Sequence, residues 1–399
     1  MQIGVVGKAN VGKSTFFKAL TLADIEIANY PFATIDPNKG VGFVKVECVC
    51  KDFEKRCNPR EGYCTGFYRF VPVEVIDVAG LVPGAHEGKG MGNQFLDDLR
   101  QADCLIHVID ASGSTNENGE PVDAGSYDPA KDIEFLDVEL DMWYYGILKK
   151  GWEKLSRQIQ QEQREPHVVL GKQLTGLGID EDMVKAAIKK LELDPAKPAS
   201  WSEEQMKALA SYLRKQSKPM VIAANKVDTT TGKKYIEELK EKFPDHIIIP
   251  CSAESELALK EAQKHKLIDY VPGENTFKLC DESKLNEKQK SALHFIKDNI
   301  LEKYGSTGVQ DTLDKAVFEL LGYIAVFPGG VSKLEDQHGN VLPDCFLIPG
   351  GSNALNFAYH LHTDLGEGFI RAVDVKTRMT VGKEHPLKHR DVIEIISRK

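Results

Sequence analysis

No apolar run in this sequence is long enough to cross a bilayer. The opening MQIGVVGKAN carries neither a basic or cleavable apolar leader nor a glycine at position 2. These absences predict a cytoplasmic chain that meets no membrane. An excess of positive charge is also missing, since 51 Lys and Arg stand against 60 Asp and Glu, a net charge of -9. Such a surface cannot coat a polyanion, so any nucleic-acid contact must be local or made through a partner. Internal repeats and low-complexity linkers are absent as well. The 8 cysteines are scattered through a chain without an export signal, which predicts reduced thiols. Cys48, Cys50, Cys57 and Cys64 fall closer together, but their spacing lacks the paired C-x2-C knuckles of recognisable zinc sites. Free thiols on an extended hairpin are the expectation.

With 399 residues and an apolar share of 42%, the chain has material for two or three cores. Ile3, Val5 and Val6 read as a short buried strand ending at Gly7, with a helix pattern from about Lys13. VPVEVID from Val71, CLIHVID from Cys104, PMVIAANKVD and HIIIPCSA are further β-branched runs closed by turn residues. Strands alternating with helical stretches predict a doubly wound α/β sheet whose ligands gather at the strands' carboxyl ends.

Between Asp110 and Pro219 the chain far exceeds one crossover helix. Apolar residues from Ile133 to Ile159 recur at steps of three and four, which predicts a long amphipathic helix started by Asp128 and Pro129. Ser202 with Gln205 spells a capping box, and Trp201 with Met206 the matching hydrophobic staple. A coiled-coil-like helical hairpin arm is therefore expected, serving either as a spacer or as a docking surface for a large partner. From Tyr323 onward, short β-branched runs such as FIRAVDVKT and DVIEIIS flank one short helix near Asn353 to Leu361. That tail holds nine basic and nine acidic residues, which suits a neutral α+β module. The expected divisions are a first part of a nucleotide-binding domain at 1–127, the helical insertion at 128–217, a second part with connecting helices at 218–322, and the tail module at 323–399.

Gly7-Lys8-Ala9-Asn10-Val11-Gly12-Lys13-Ser14 fits G-x-x-x-x-G-K-S between a strand and a helix. Its glycines let the backbone close around phosphates, with Val11, Gly12, Lys13, Ser14 and Thr15 supplying the turn into the helix. Lys13 adds a point charge at the β and γ phosphates, and the Ser14 hydroxyl offers a ligand to magnesium. Asp77-Val78-Ala79-Gly80 ends the next core strand, where Asp77 can hold magnesium through water and the Gly80 N-H can face the γ phosphate. Thr34, in NYPFATIDPN, is placed to swing its hydroxyl onto the metal when the γ phosphate is present. Asn225-Lys226-Val227-Asp228 follows another strand, and the Asp228 carboxylate can accept both donors of a guanine edge, which adenine lacks. Ser252 and Ala253 are expected to present backbone N-H groups to the guanine carbonyl oxygen.

On these motifs the chain resembles the translation-factor-like branch of P-loop GTPases, specifically the Obg-related YchF type. DVAGLVPGAHEGKGMGNQFLDDLRQAD resembles that family's second switch, and NYPFATIDPN its first. The tail, with LPDCFLIPGGSNALNFAYHLHTDLGEGF, resembles the TGS domain, a β-grasp module shared with threonyl-tRNA synthetases and stringent-response enzymes. The glycine-rich N-terminal domain of Obg proper is absent. The resemblance implies GTP and GDP as ligands and the ribosome or RNA as partners, with a monomeric chain favoured. Many YchF-type proteins have lost the asparagine-lysine-x-aspartate signature and are described as preferring ATP, whereas here every residue of it is kept.

Slow hydrolysis is expected. The position after Gly80, where Ras-type enzymes keep a water-orienting glutamine, is Leu81, and no arginine precedes Arg56 to act as a finger from the first switch. Without those parts P-loop enzymes turn over at roughly 10⁻⁴ to 10⁻² per second. His86 is a candidate to orient water instead. The resemblance also implies potassium near Asn10 as a substitute for the missing arginine.

Overall fold

The computed structural model describes residues 1–21, 38–78 and 98–398. Thr34, Gly80, Leu81 and His86 lie outside the described residues. The chain divides into two compact units, one of Met1–Ala19, Val75–Leu257 and Thr307–Thr312, the other of Leu20–Glu74, Ala258–Ser306 and Leu313–Lys399. Its first seven strands are β1 (Gln2–Val6), β2 (Lys39–Glu47), β3 (Tyr63–Thr65), β4 (Tyr68–Asp77), β5 (Cys104–Asp110), β6 (Met220–Asn225) and β7 (Ile247–Pro250).

In the first unit the end of β4 leads a sheet ordered β4-β1-β5-β6-β7. β1 with β5, β5 with β6, and β6 with β7 all pair in parallel. Every residue of β5 and β6 is buried, as a parallel strand covered on both faces requires. This is the expected doubly wound sheet, and the boundaries read from CLIHVID coincide with β5. Register places Asp110 opposite Asn225, so two functional loops leave neighbouring strand ends.

Between β5 and β6 the described residues hold five α-helices, Ala130–Lys149, Trp152–Gln161, Pro166–Leu174, Glu181–Lys190 and Glu203–Ser217. The arm is thus richer than a hairpin, and its long amphipathic helix is two helices. Gly151 sits at φ 78° between them, a left-handed conformation that ends one helix and starts the next at a new angle. The first helix starts as expected, with the Asp128 carboxylate accepting from Ala130 N at 2.9 Å. The first and last helices pack side by side through the Tyr144 hydroxyl on Ser217 Oγ at 2.8 Å and Arg214 Nε on Asp141 at 2.7 Å. Ser202 and Gln205 form the capping box, with Trp201 and Met206 both buried beside it. No helix among the described residues is long and apolar enough to cross a membrane.

The second unit contains β2, β3 and the start of β4, in which β3 and β4 form an antiparallel hairpin with Cys64 opposite Arg69. It also contains β8 (Ile268–Tyr270), β9 (Phe277–Leu279), β10 (Tyr323–Pro328), β11 (Phe346–Pro349), β12 (Phe369–Asp374), β13 (Met379–Val381) and β14 (Asp391–Ser397). The last five build one sheet, ordered β11-β10-β14-β12-β13. The helix Ala354–Leu361, capped by Asn353, lays Phe357 on a core of Val326, Ile348, Ala372 and Ile393. A helix on one face of a short mixed sheet is the β-grasp arrangement expected of the tail.

Candidate phosphate- and base-binding site

The phosphate loop leaves β1 and turns into the helix Lys13–Thr21. Its conformation demands a residue without a side chain at two points. Gly12 has φ 90°, and a Cβ there would stand 2.4 Å from Asn225 Nδ2. A Cβ on Gly7 would stand 2.6 Å from the Val108 carbonyl oxygen. Asn10 is also left-handed at φ 62°, a region asparagine tolerates better than most residues. Its amide nitrogen donates to Gly119 O at 2.8 Å, so the side chain helps shape the loop.

Asn225 carries the base-reading loop to the phosphate loop. Its amide nitrogen donates to Val11 O at 2.9 Å, and its oxygen accepts from Ala253 N at 3.0 Å. Lys226, at φ 65°, donates to Asn10 O and to the Asp110 carboxylate, each at 2.9 Å. Asp228 accepts from the Ser252 hydroxyl at 3.0 Å, which is held in turn by Ser255 Oγ at 2.7 Å. Three of the four signature residues are thereby fixed before any ligand is considered.

Lys13 donates to Val78 O at 3.0 Å and to the Asp77 carboxylate, so cation and carboxylate converge at the strand ends. Ser14, exposed, and Thr15 occupy the first turn of the helix. A hydroxyl and a carboxylate are hard oxygen donors, and Asp77 already contacts the loop that bears Ser14, so these residues fit a magnesium ion.

Ser252 and Ala253 lie next to Asp228 and Asn225 as expected. Ser252 N donates to Thr307 O at 2.9 Å and Ala253 N to Asn225. Both N-H groups thus donate within the protein, one to the distant Thr307 and one to Asn225 of the signature. Ser252 also contributes its hydroxyl, which orients Asp228.

Sequence reasoning missed three supporting residues. Asp110, 1% exposed, collects Ser114 Oγ at 2.8 Å, Thr115 Oγ1 at 3.1 Å, Ser112 N at 3.0 Å and Lys226. Burial alone would raise its carboxyl, but hydrogen bonds from Ser112 and Lys226 hold it below the usual carboxylate range. Lys8, inside the phosphate loop, pairs with Asp132 at 2.8 Å in the first turn of the arm and lies 4.0 Å over the Tyr127 ring. Burial pushes Asp132 upward, and Lys8 and Tyr127 only partly offset it. A strand-terminal aspartate followed by Ser112, Ser114 and Thr115 was the readable signal for Asp110; nothing local marked Asp132.

Residues 2–138 match the family described as 50S ribosome-binding GTPase, residues 223–330 the Obg-like GTPase YGR210-like, G4 motif-containing domain, and residues 337–397 the TGS domain. The chain is 54% identical over 396 residues to an uncharacterized GTP-binding protein, MJ1332, of Methanocaldococcus jannaschii, covering 99% of this chain and 98% of that one. It is 29% identical over 379 residues to the ribosome-binding ATPase YchF of Bacillus subtilis, covering 93% and 87%. The chain belongs to the Obg-like, YchF-type family of P-loop nucleotide hydrolases. Among solved structures, a GTP-binding protein from Pyrococcus horikoshii OT3 superposes over the whole of both chains with a TM-score of 0.79 and 38% identity. That whole-length similarity extends to the arm and the TGS module, so this Obg-like chain differs from its relatives in detail and not in plan.

Proposed function

We propose that this chain is a magnesium-dependent GTP-binding protein and slow GTPase whose nucleotide state controls association with the ribosome or RNA. The observation that carries the choice of base is Asp228, kept half-buried and aimed by Ser252, in a signature whose Asn225 and Lys226 are bound to the phosphate loop. A carboxylate there accepts the paired N1-H and amino donors of guanine and offers adenine no matching acceptor-donor pair. Because YchF of Bacillus subtilis is named an ATPase, the deciding test is calorimetric titration with GTP and ATP. GTP should bind at least tenfold tighter, and Asp228→Ala should remove that margin by about 1.5–3 kcal/mol per lost charged hydrogen bond. Tighter ATP binding, unmoved by Asp228→Ala, refutes the reading.

In hydrolysis, Lys13 leaves Asp77 to neutralise the β and γ phosphates, and the backbone from Val11 to Thr15 orients them. Ser14 and Asp77, with Thr34 of the first switch, would hold magnesium, which when bound neutralises charge developing on the phosphates. Gly80 would hold the γ phosphate and His86 the attacking water, roles proposed from their sequence positions alone. With Leu81 in place of a water-orienting glutamine, turnover stays at roughly 10⁻⁴ to 10⁻² per second. Potassium against the Asn10 side-chain oxygen would supply part of the missing charge, which predicts faster turnover in potassium than in sodium; equal rates exclude it.

Support for a large partner comes from the arm. A cleft of about 900 Å³ there is lined by Lys149, Lys154 and Arg157 with Trp152 and Trp201, and by Glu153 and Glu203, a mixed charged and aromatic surface with a basic excess of one. Co-sedimentation with ribosomes should be stronger with a non-hydrolysable GTP analogue than with GDP; equal binding would make the chain a scaffold.

A further inference from the structure

Outside the nucleotide site, one constellation of side chains has no role in anything described so far. Cys48 follows β2, Cys50 lies in the single turn Val49–Lys51, Cys57 in the loop beyond it, and Cys64 in β3. Their Sγ atoms nevertheless all lie within 4.8 Å of one another, in place of the dispersed thiols expected on an extended hairpin. The spacing C-x-C-x6-C-x6-C hid this, since it lacks C-x2-C knuckles; the chain instead returns to the same point three times.

The geometry has two chemical readings, disulfide or metal. A disulfide needs sulfurs about 2.04 Å apart. Cys48 Sγ and Cys57 Sγ are 3.7 Å apart. A tetrahedral zinc thiolate with Zn-S of about 2.3 Å sets each S···S edge at about 3.8 Å. The observed separation matches a tetrahedron's edge as well as a thiol-thiol hydrogen bond, and all four Sγ atoms staying within 4.8 Å of one another favours the tetrahedron.

Charge points the same way. Arg69 is 1% exposed and stands across the β3-β4 hairpin from Cys64. Its guanidinium donates to Pro343 O at 3.3 Å and to Leu342 O, and its Nε has no hydrogen-bond partner. Among the described residues no carboxylate forms a salt bridge with it, although Asp344 interacts with its charge, and Cys345, Cys57 and Cys48 surround it. A buried arginine without an anion is costly. Four thiolates around a divalent ion carry a net charge of about -2, which would add to the partial counter-charge that Asp344 offers Arg69.

Packing supplies a third argument. From Lys51 to Tyr68 no residue is buried, so this segment has no apolar core of its own. Yet it is folded tightly, with Glu54 and Phe67 at positive φ and Gly62 placed where a Cβ would meet Phe70 O at 2.0 Å. Segments ordered without a core usually owe it to disulfides or metal.

We propose that Cys48, Cys50, Cys57 and Cys64 form a structural tetrathiolate site for one zinc ion. Binding replaces four S-H bonds with four Zn-S bonds and releases the thiol protons to solvent, with no change of oxidation state. All four positions are filled by protein, so the site is closed to substrate and its work is mechanical. The loop it secures is a strap on the C-terminal module. Asn58 N donates to Val341 O and Arg60 N to Pro343 O, each at 2.9 Å, while Arg60 reaches Asp336 at 3.3 Å. Zinc would therefore fasten the β2-β3 connection to the β10-β11 turn.

The test uses the full chain, expressed in zinc-supplemented medium and purified without chelator. Elemental analysis should find about one zinc per chain. Cys57→Ser and Cys64→Ser should each fall below about a tenth of that, while Cys280→Ser, at an exposed thiol outside the cluster, keeps it. Because the cluster lies in the second unit, a far-UV circular dichroism spectrum of the serine variants matching that of the unaltered chain shows that they are folded. Titrating the unaltered protein with a mercurial reagent should release zinc in step with thiol loss, and cobalt(II) put in its place should give the intense visible colour of tetrahedral thiolate coordination. Zinc-free protein after zinc supplementation, zinc retained by both serine variants, or iron in its place would each overturn the assignment.

Discussion

Consider Asn225→Ala. The side chain is 4% exposed, donates to Val11 O at 2.9 Å and accepts from Ala253 N at 3.0 Å, so truncation strands one buried acceptor and one buried donor. Each orphaned group costs about 1–3 kcal/mol, for a total of about 2–6 kcal/mol. In a unit of this size that lowers the melting temperature by roughly 2–4 °C per kcal/mol, a fall on the order of 10 °C. Affinity for GTP and GDP should drop together, because both use the phosphate loop that Asn225 supports. A second substitution sharpens the argument. A Cβ on Gly12 would collide with Asn225 Nδ2 at 2.4 Å, its next neighbour there being Asn225 Cγ at 3.7 Å. Gly12→Ala should therefore cost less in the Asn225→Ala background than alone, although the strain of φ 90° stays in both. Thermal unfolding followed by circular dichroism, with calorimetric titration of each folded variant, measures all these quantities. A melting temperature unchanged within about 1 °C in Asn225→Ala, or strictly additive effects in the double variant, would refute the claim that Asn225 bridges the two loops.

Two further outcomes can be checked by unfolding alone. Burial lowers the His107 imidazole from 6.5 to about 3, so the folded state resists a proton that the unfolded chain accepts. Stability present above pH 6.5 should be lost as pH falls toward 3, at up to about 1.4 kcal/mol per pH unit, and urea midpoints between pH 7 and 4 should fall less steeply in His107→Gln. Ser202→Ala removes the hydroxyl that accepts from Gln205 N at 3.2 Å at the start of the helix Glu203–Ser217, and should cost about 1 kcal/mol in the same assay; no loss would mean that the cap is redundant.

Those elements whose chemistry is local in sequence were legible in it. β5 is bounded by turn residues and largely apolar, and the capping box at Ser202 and Gln205 marks the start of its helix. The phosphate loop, Asp77 and the Asn225–Asp228 signature are contiguous strings at strand ends, so their meeting follows from the alternation of strands and helices. Contacts between distant strings were not legible. Asp132 is 124 residues from Lys8, and only the folded chain brings them to 2.8 Å. Periodicity continues through Gly151 because it records which face is apolar and says nothing of a left-handed residue. The thiols of Cys48 to Cys64 failed to announce themselves for the same reason, since their convergence depends on how the hairpin folds back. Ser252 and Ala253 were found, but the hydrogen bonds of their N-H groups to Thr307 and Asn225 were not legible, because a sequence does not show which donors the fold commits.

The pairing of Lys8 with Asp132 joins the arm to the phosphate loop. One partner belongs to the cradle that meets phosphates and the other to the opening turn of the arm's first helix, and both are shut away from water. Removing one member of such a pair while the other stays enclosed costs about 3–5 kcal/mol. The root of the arm is tied to the phosphate loop by a buried ion pair, so a substitution at Asp132 should be felt in the loop that carries Lys8.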